Sequence, residues 1–214
     1  MSITLIIIII TVLVSYSALN NTKIDNDLIF YPTSINYSRQ WYRFFSHGLI
    51  HANYLHLGLN MYALYLFGRT VEEKFTYTVF QEKGKLMFLL LYVSALFFAA
   101  LPLYLKHKDN SGYAARGASG AVAAVVFAFI LLDPVRGIGI ILIPVYIPGF
   151  IFGFLYLGLS AYMDKRGGGN IAHGAHFWGS VYGLAFVIIM ASLFSDYPVL
   201  RMFVEQIKDY FHLS

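Results

Sequence analysis

Four polar residues stand inside or at the mouths of strongly apolar stretches: His56, Asn60, Ser119 and His176. Ser119 lies in Gly117-Ala118-Ser119-Gly120, His56 and Asn60 are four apart, and His176 is followed by Gly179 and Gly183. A hydroxyl, an imidazole and further hydrogen-bond donors are the components of acyl transfer. The imidazole takes the hydroxyl proton, and the donors stabilise the tetrahedral oxyanion. With no cysteine in the chain, disulfides and thiol catalysis are excluded, and the nucleophile must be a hydroxyl or an activated water. No carboxylate is placed to complete a triad, because Asp133, at the far end of the same apolar run, is about 21 Å from Ser119 along a helix. The chemistry therefore reduces to a Ser–His dyad, Ser119 as nucleophile and His176 as general base.

Each residue also has an ordinary reading. A serine in a membrane helix commonly bonds its own backbone or a neighbouring helix, and a lone intramembrane histidine need not be catalytic. The elements that carry the four decide between these readings. Of the 214 residues, 58% are apolar and 12% charged, against roughly half and a quarter in soluble domains. Apolar runs near 3–19, 55–71, 86–105, 119–132, 138–163 and 174–194 predict six membrane-spanning helices in a single domain, 1–214, with a core over about 40–194 and a short tail over 195–214. All eleven carboxylates fall between these runs or at their edges, which is consistent with the cost of burying charge. Met1 to Tyr16 has no basic residue ahead of its isoleucine run and reads as a retained first span rather than a cleaved leader.

Spans two, four and six must cross in one direction, so His56, Asn60, Ser119 and His176, all near N-terminal ends, converge at one membrane face. His56 and Asn60 share a helix face. Span four holds only 14 residues, about 21 Å against a hydrocarbon core of about 30 Å. Its N-terminus must therefore lie below the membrane surface, reached by the irregular stretch Ser111–Gly117 dipping inward. At that terminus free N–H groups and the helix dipole favour an oxyanion. The expected donors are His56, Asn60, the Ser119 amide and the Ala118 amide. Gly120 on span four and Gly179 and Gly183 on span six allow the two helices to pack nearly backbone to backbone. Residues 39–54 mix aromatics with Arg39, Arg43, His47 and His51 and are too polar to span, so they read as interfacial. Pro144 and Pro148 within span five each remove a helical hydrogen bond, so this helix is expected to be kinked or locally loose; proline kinks also serve ordinary packing in membrane helices.

The Lys and Arg excess, 15 against 11 Asp and Glu, is scattered and forms no basic stripe, which argues against nucleic acid as a partner. Loop charges do not fix the orientation.

Gly117-Ala118-Ser119-Gly120, the pair His56 and Asn60, and Gly174-Ala175-His176 with Gly179 and Gly183 together resemble the rhomboid family of intramembrane serine proteases. The resemblance covers about residues 40 to 194. It implies an all-α, six-helix membrane fold with a water-accessible cavity opening to the extracytoplasmic side of what would be a bacterial cytoplasmic membrane. It implies cleavage of transmembrane protein substrates without metal or cofactor, and it offers a lateral substrate gate at span five as a second reading of Pro144 and Pro148 beside ordinary packing. It does not specify substrate identity or oligomeric state. Two positions depart from the family pattern. Ala123 stands where a tyrosine often stacks on the histidine, with Phe177, Trp178 or Tyr182 as possible replacements, and Tyr42-Arg43, with Trp41 before it, stands for a Trp-Arg pair. The same residues admit rival readings. One is an inactive relative acting as a membrane chaperone or dislocation factor. Another is a metal-dependent enzyme or transporter using His47, His51, His56, His173 and His176, in which His47 and His51 would otherwise be interfacial and His173 a loop residue shaping the cavity.

Overall fold

A computed structural model describes residues 2–140, 143–166 and 172–213. Helix α1 (Ile3–Leu19) is followed by short helices α2 (Thr22–Leu28), α3 (Pro32–Ser38) and α4 (Arg43–Ser46) that fold the first loop. Helix α5 (Tyr54–Ala63) continues through a wide π-helical turn into α6 (Arg69–Lys74) and a second such turn to Val79. Then come α7 (Gly84–His107), α8 (Ser119–Leu132), a hairpin of β1 (Gly137–Ile140) and β2 (Ile143–Pro148), α9 (Gly149–Arg166), α10 (His173–Phe194) and α11 (Val199–Tyr210). Among the described residues, two helical stretches, Gln81–His107 and His173–Phe194, are long and apolar enough to cross a membrane; Ile3–Leu19 and Ser119–Leu132 are apolar but shorter.

Helix α8 is the centre of the bundle, packed by α7, α10, α9 and α11. It is apolar all round and almost wholly buried, as expected of a helix with neighbours on every side. The second helical rod runs on past the expected end of span two, so Glu72 is not at a span edge but inside a helix and buried. Its carboxylate accepts from Ser2 Oγ (2.6 Å), the Ile3 amide (2.7 Å), and the amide and Oγ1 of Thr4 (2.9 and 2.7 Å). An acidic group from one helix thus caps the positive N-terminus of another, which offsets its desolvation.

The fifth span departs from expectation. Residues 137–140 and 143–148 do not begin a helix. They form an antiparallel hairpin, with Gly137 opposite Pro148 and Ile138 opposite Ile147, and the helix starts only at Gly149. Pro144 and Pro148 therefore lie in β2 and do not kink a helix. The local sequence explains this: isoleucine and valine favour strands, glycine and proline disfavour helix interiors, and the apolar run concealed both signals. Among the described residues the chain is mostly helical, with this hairpin beside the bundle.

Candidate active site

Helix α8 begins at Ser119, and the chain reaches it through an irregular segment that the first loop clamps. Phe30 and Ala115 exchange two backbone hydrogen bonds of 3.0 Å. The Arg116 guanidinium binds the Asp25 carboxylate through two nitrogens, with Nε to Oδ1 at 2.7 Å. The Gly117 amide donates to the His47 carbonyl (3.0 Å), and the Gly117 carbonyl stands 3.2 Å from His47 Nδ1. Gly117 has φ +115°, and a Cβ there would stand 2.7 Å from Cε1 and 3.0 Å from Nε2 of His56. Only glycine meets both conditions, the left-handed backbone and the close imidazole.

The loop that makes these contacts is not simply interfacial. Arg43 is buried and donates from Nη1 to the carbonyls of Asn26 (2.9 Å) and Ile29 (2.7 Å). Phe44 is enclosed by Phe30, Phe97 and Tyr104. His51 is 1% exposed. The Ser15 hydroxyl donates to Leu49 O (2.8 Å) and also lies 2.9 Å from His51 Nδ1. Its single proton is used by Leu49, so His51 Nδ1 donates to it, and Nε2 is left to accept from the Ala118 amide at 3.4 Å. Burial pushes the His51 imidazole down to about 3, with the neighbouring His56 and His47 acting in the same sense, which keeps this neutral tautomer in place. His47 and His51 hold the nucleophile loop through these contacts, and the Ala118 amide, expected as an oxyanion donor, is occupied by His51. Long-range polar contacts of this kind leave no mark in sequence spacing.

Asn53 caps α5 by accepting from the His56 amide (2.8 Å), and Asn60 Nδ2 donates to the His56 carbonyl (2.9 Å). Asn60 is buried and keeps a second amide proton. On the other side, α10 lies against α8 along small residues. A Cβ on Gly179 would overlap the carbonyl of Gly120, and one on Gly183 that of Ala124. A cavity of about 890 Å³ opens between the α5–α6 rod and α9, and Asn60, Ser119, Ala123 and His176 all line it, together with Tyr156 of α9 and Tyr146 of the hairpin. Ser119 and His176 are both half-buried. Ser180 Oγ donates to the His176 carbonyl (2.8 Å), and among the described hydrogen bonds none joins the His176 ring to Ser119 Oγ. Catalytic contacts are often long before substrate binds.

The residues expected to stack on His176 do not. Tyr182 stacks on Phe98 (centroids 4.7 Å, 14°) and donates to Ser94 Oγ (2.7 Å), while Phe177 and Trp178 meet each other edge-on at 5.4 Å. Tyr156 takes that place, with centroids 6.3 Å apart and planes at 25°. His173 is the first residue of α10 and meets the His176 ring edge-on at 6.0 Å. Among the described residues no group of three metal-ligating side chains gathers.

A mostly helical bundle with a serine at the N-terminus of its central helix, and a histidine of α10 lining the same cavity, is the arrangement to be compared with known families. Residues 38–193 match the Rhomboid domain family, well over half of the chain, and the protein belongs to the rhomboid family of membrane-embedded proteins. No curated protein matches the chain.

Proposed function

We propose that the protein is an intramembrane serine endopeptidase that cleaves transmembrane protein substrates, built on six membrane crossings. The observation that carries the reading is that Ser119, His176 and Asn60, brought from three separate helices, line one cavity. In the reaction His176 takes the Ser119 proton as Oγ attacks the scissile carbonyl. The resulting oxyanion is received by the Ser119 amide, Asn60 Nδ2 and His56. His176 then protonates the leaving amine, and water hydrolyses the acyl-enzyme by the same proton route. Helix N-terminus and donors act in a half-buried site, where they are stronger than in bulk water. Substrate helices enter between the α5–α6 rod and α9, where the cavity opens, and this gap supports a lateral gate better than the two prolines do.

The test is cleavage of a labelled transmembrane substrate by wild type, Ser119→Ala and His176→Ala, in detergent and in liposomes. Both variants are expected at background, and unaltered activity in either sinks the dyad. Fluorophosphonate labelling of wild type but not Ser119→Ala separates the enzyme from an inactive relative.

A further inference from the structure

A dyad leaves the second nitrogen of its base without a carboxylate to orient the ring, and ring orientation in catalytic histidines is ordinarily set by the partner of that nitrogen. Helix α10 fixes the Cα of His176 through the glycine seam, but the imidazole still turns about its own side-chain bonds. Its flat neighbour is Tyr156, whose ring lies at 25° to it with centroids 6.3 Å apart, an offset stack at the outer part of the usual range. Tyr156 is itself braced from two sides. Phe152, one turn earlier on α9, stacks on it at 5.7 Å and 27°, and Phe127 of α8 meets it at 5.8 Å and 51°. Helix α8 offers no ring of its own nearer the nucleophile, since Ala123, one turn after Ser119, brings only a methyl group to the cavity wall.

We propose that Tyr156 is the positioning residue of the catalytic base: by stacking on His176 from α9 it holds the imidazole in the orientation from which it reaches Ser119. The inference depends on the protease reading for its kinetic consequence but not for its structural one. The helix that borders the lateral opening thereby carries the residue that aligns the base, so the seating of α9 and the readiness of His176 are linked.

The experiment uses full-length protein in detergent micelles, with labelled histidine and the Ser119→Ala background for NMR and the active enzyme for kinetics. The ring resonances of His176, assigned by their loss in His176→Ala, are expected to carry a ring-current shift that Tyr156→Ala and Tyr156→Leu remove and Tyr156→Phe keeps. Leucine retains apolar bulk, so it carries the test if the alanine variant does not fold. In cleavage assays, Tyr156→Leu is expected to lower kcat by roughly tenfold with KM changed by less than about twofold, Tyr156→Phe to stay close to wild type, and Ala123→Tyr added to Tyr156→Leu to restore part of the loss. His176 resonances indifferent to Tyr156, or a loss confined to KM, or one as large in Tyr156→Phe, overturns the proposal. If wild type neither cleaves nor labels, the protease reading fails, while the NMR result still decides whether Tyr156 holds the ring.

Discussion

Gly179 faces the carbonyl of Gly120 with no room between them for a methyl group, and Gly183 repeats the relationship with Ala124 one turn further along. These contacts set the separation of α10 from α8, hence that of His176 from Ser119. Because the obstructing atoms are backbone, an added Cβ is accommodated only by moving a helix. Gly179→Ala and Gly183→Ala are each expected to destabilise the fold by about 1–3 kcal/mol through overpacking. Gly179→Ala, closer to the dyad, is expected to lose more cleavage than stability. Thermal unfolding in detergent beside cleavage rates checks both, and Gly179→Ala with unchanged kcat would dissociate the seam from the site.

Gly117→Ala combines two penalties at one atom, a left-handed φ and collision with His56. The residue lies two positions before the nucleophile, so its relaxation displaces Ser119 or His56. A displacement of about 1 Å is enough for a loss of roughly a hundredfold. Fluorophosphonate labelling rates read the damage at the serine directly, with no need for a membrane substrate.

The sequence carried the apolar rods, the shortness of α8, the irregular segment before it and the glycine seam, because each depends on local composition or on spacing within one helix. Three features were hidden. The paired strands 137–140 and 143–148 are apolar like a span, and only their isoleucine, glycine and proline content separates them from one. The roles of His47 and His51 arise from contacts with Gly117, Ala118 and Ser15, far away in the chain. Tyr156 lies in an aromatic-rich stretch in which Phe150, Phe152, Phe154 and Tyr162 look equivalent to it until α9 is set against the bundle. Ala123 was the sole clue that a ring had to come from elsewhere.

The Ser15–His51–Ala118 chain predicts an acid-sensitive clamp. The folded-state pKa of His51 is depressed from the ordinary value of about 6.5 to about 3. Its contribution to stability is therefore complete at neutral pH. It declines as pH falls below about 6.5, where the unfolded chain gains the proton first, and it is gone below the folded-state value. Protonation would also place a second N–H against the Ala118 amide. Wild type is expected to lose melting temperature on going from pH 7 to pH 4 more steeply than His51→Asn, which lacks the titrating group. Parallel slopes would show that His51 does not report on the clamp.

The link between α9 and His176 is testable away from both rings. Gly153 of α9 faces Phe127 and Ile130 of α8, where a Cβ would lie at ordinary contact distance, 3.5 Å, and a longer side chain is expected to press against both. Gly153→Ala should be silent. Gly153→Leu should wedge α9 outward at a point one turn from Tyr156, widening the lateral opening while drawing the tyrosine away from the imidazole. These two effects have opposite kinetic signs. A wider opening alone eases substrate entry and lowers KM, whereas a released base lowers kcat. If Tyr156 aligns His176, the second effect dominates for a small soluble peptide that has no need of the opening, and its kcat is expected to fall by about three- to tenfold. A Gly153→Leu enzyme that cleaves both membrane and soluble substrates faster than wild type would mean that α9 moves without disturbing the base.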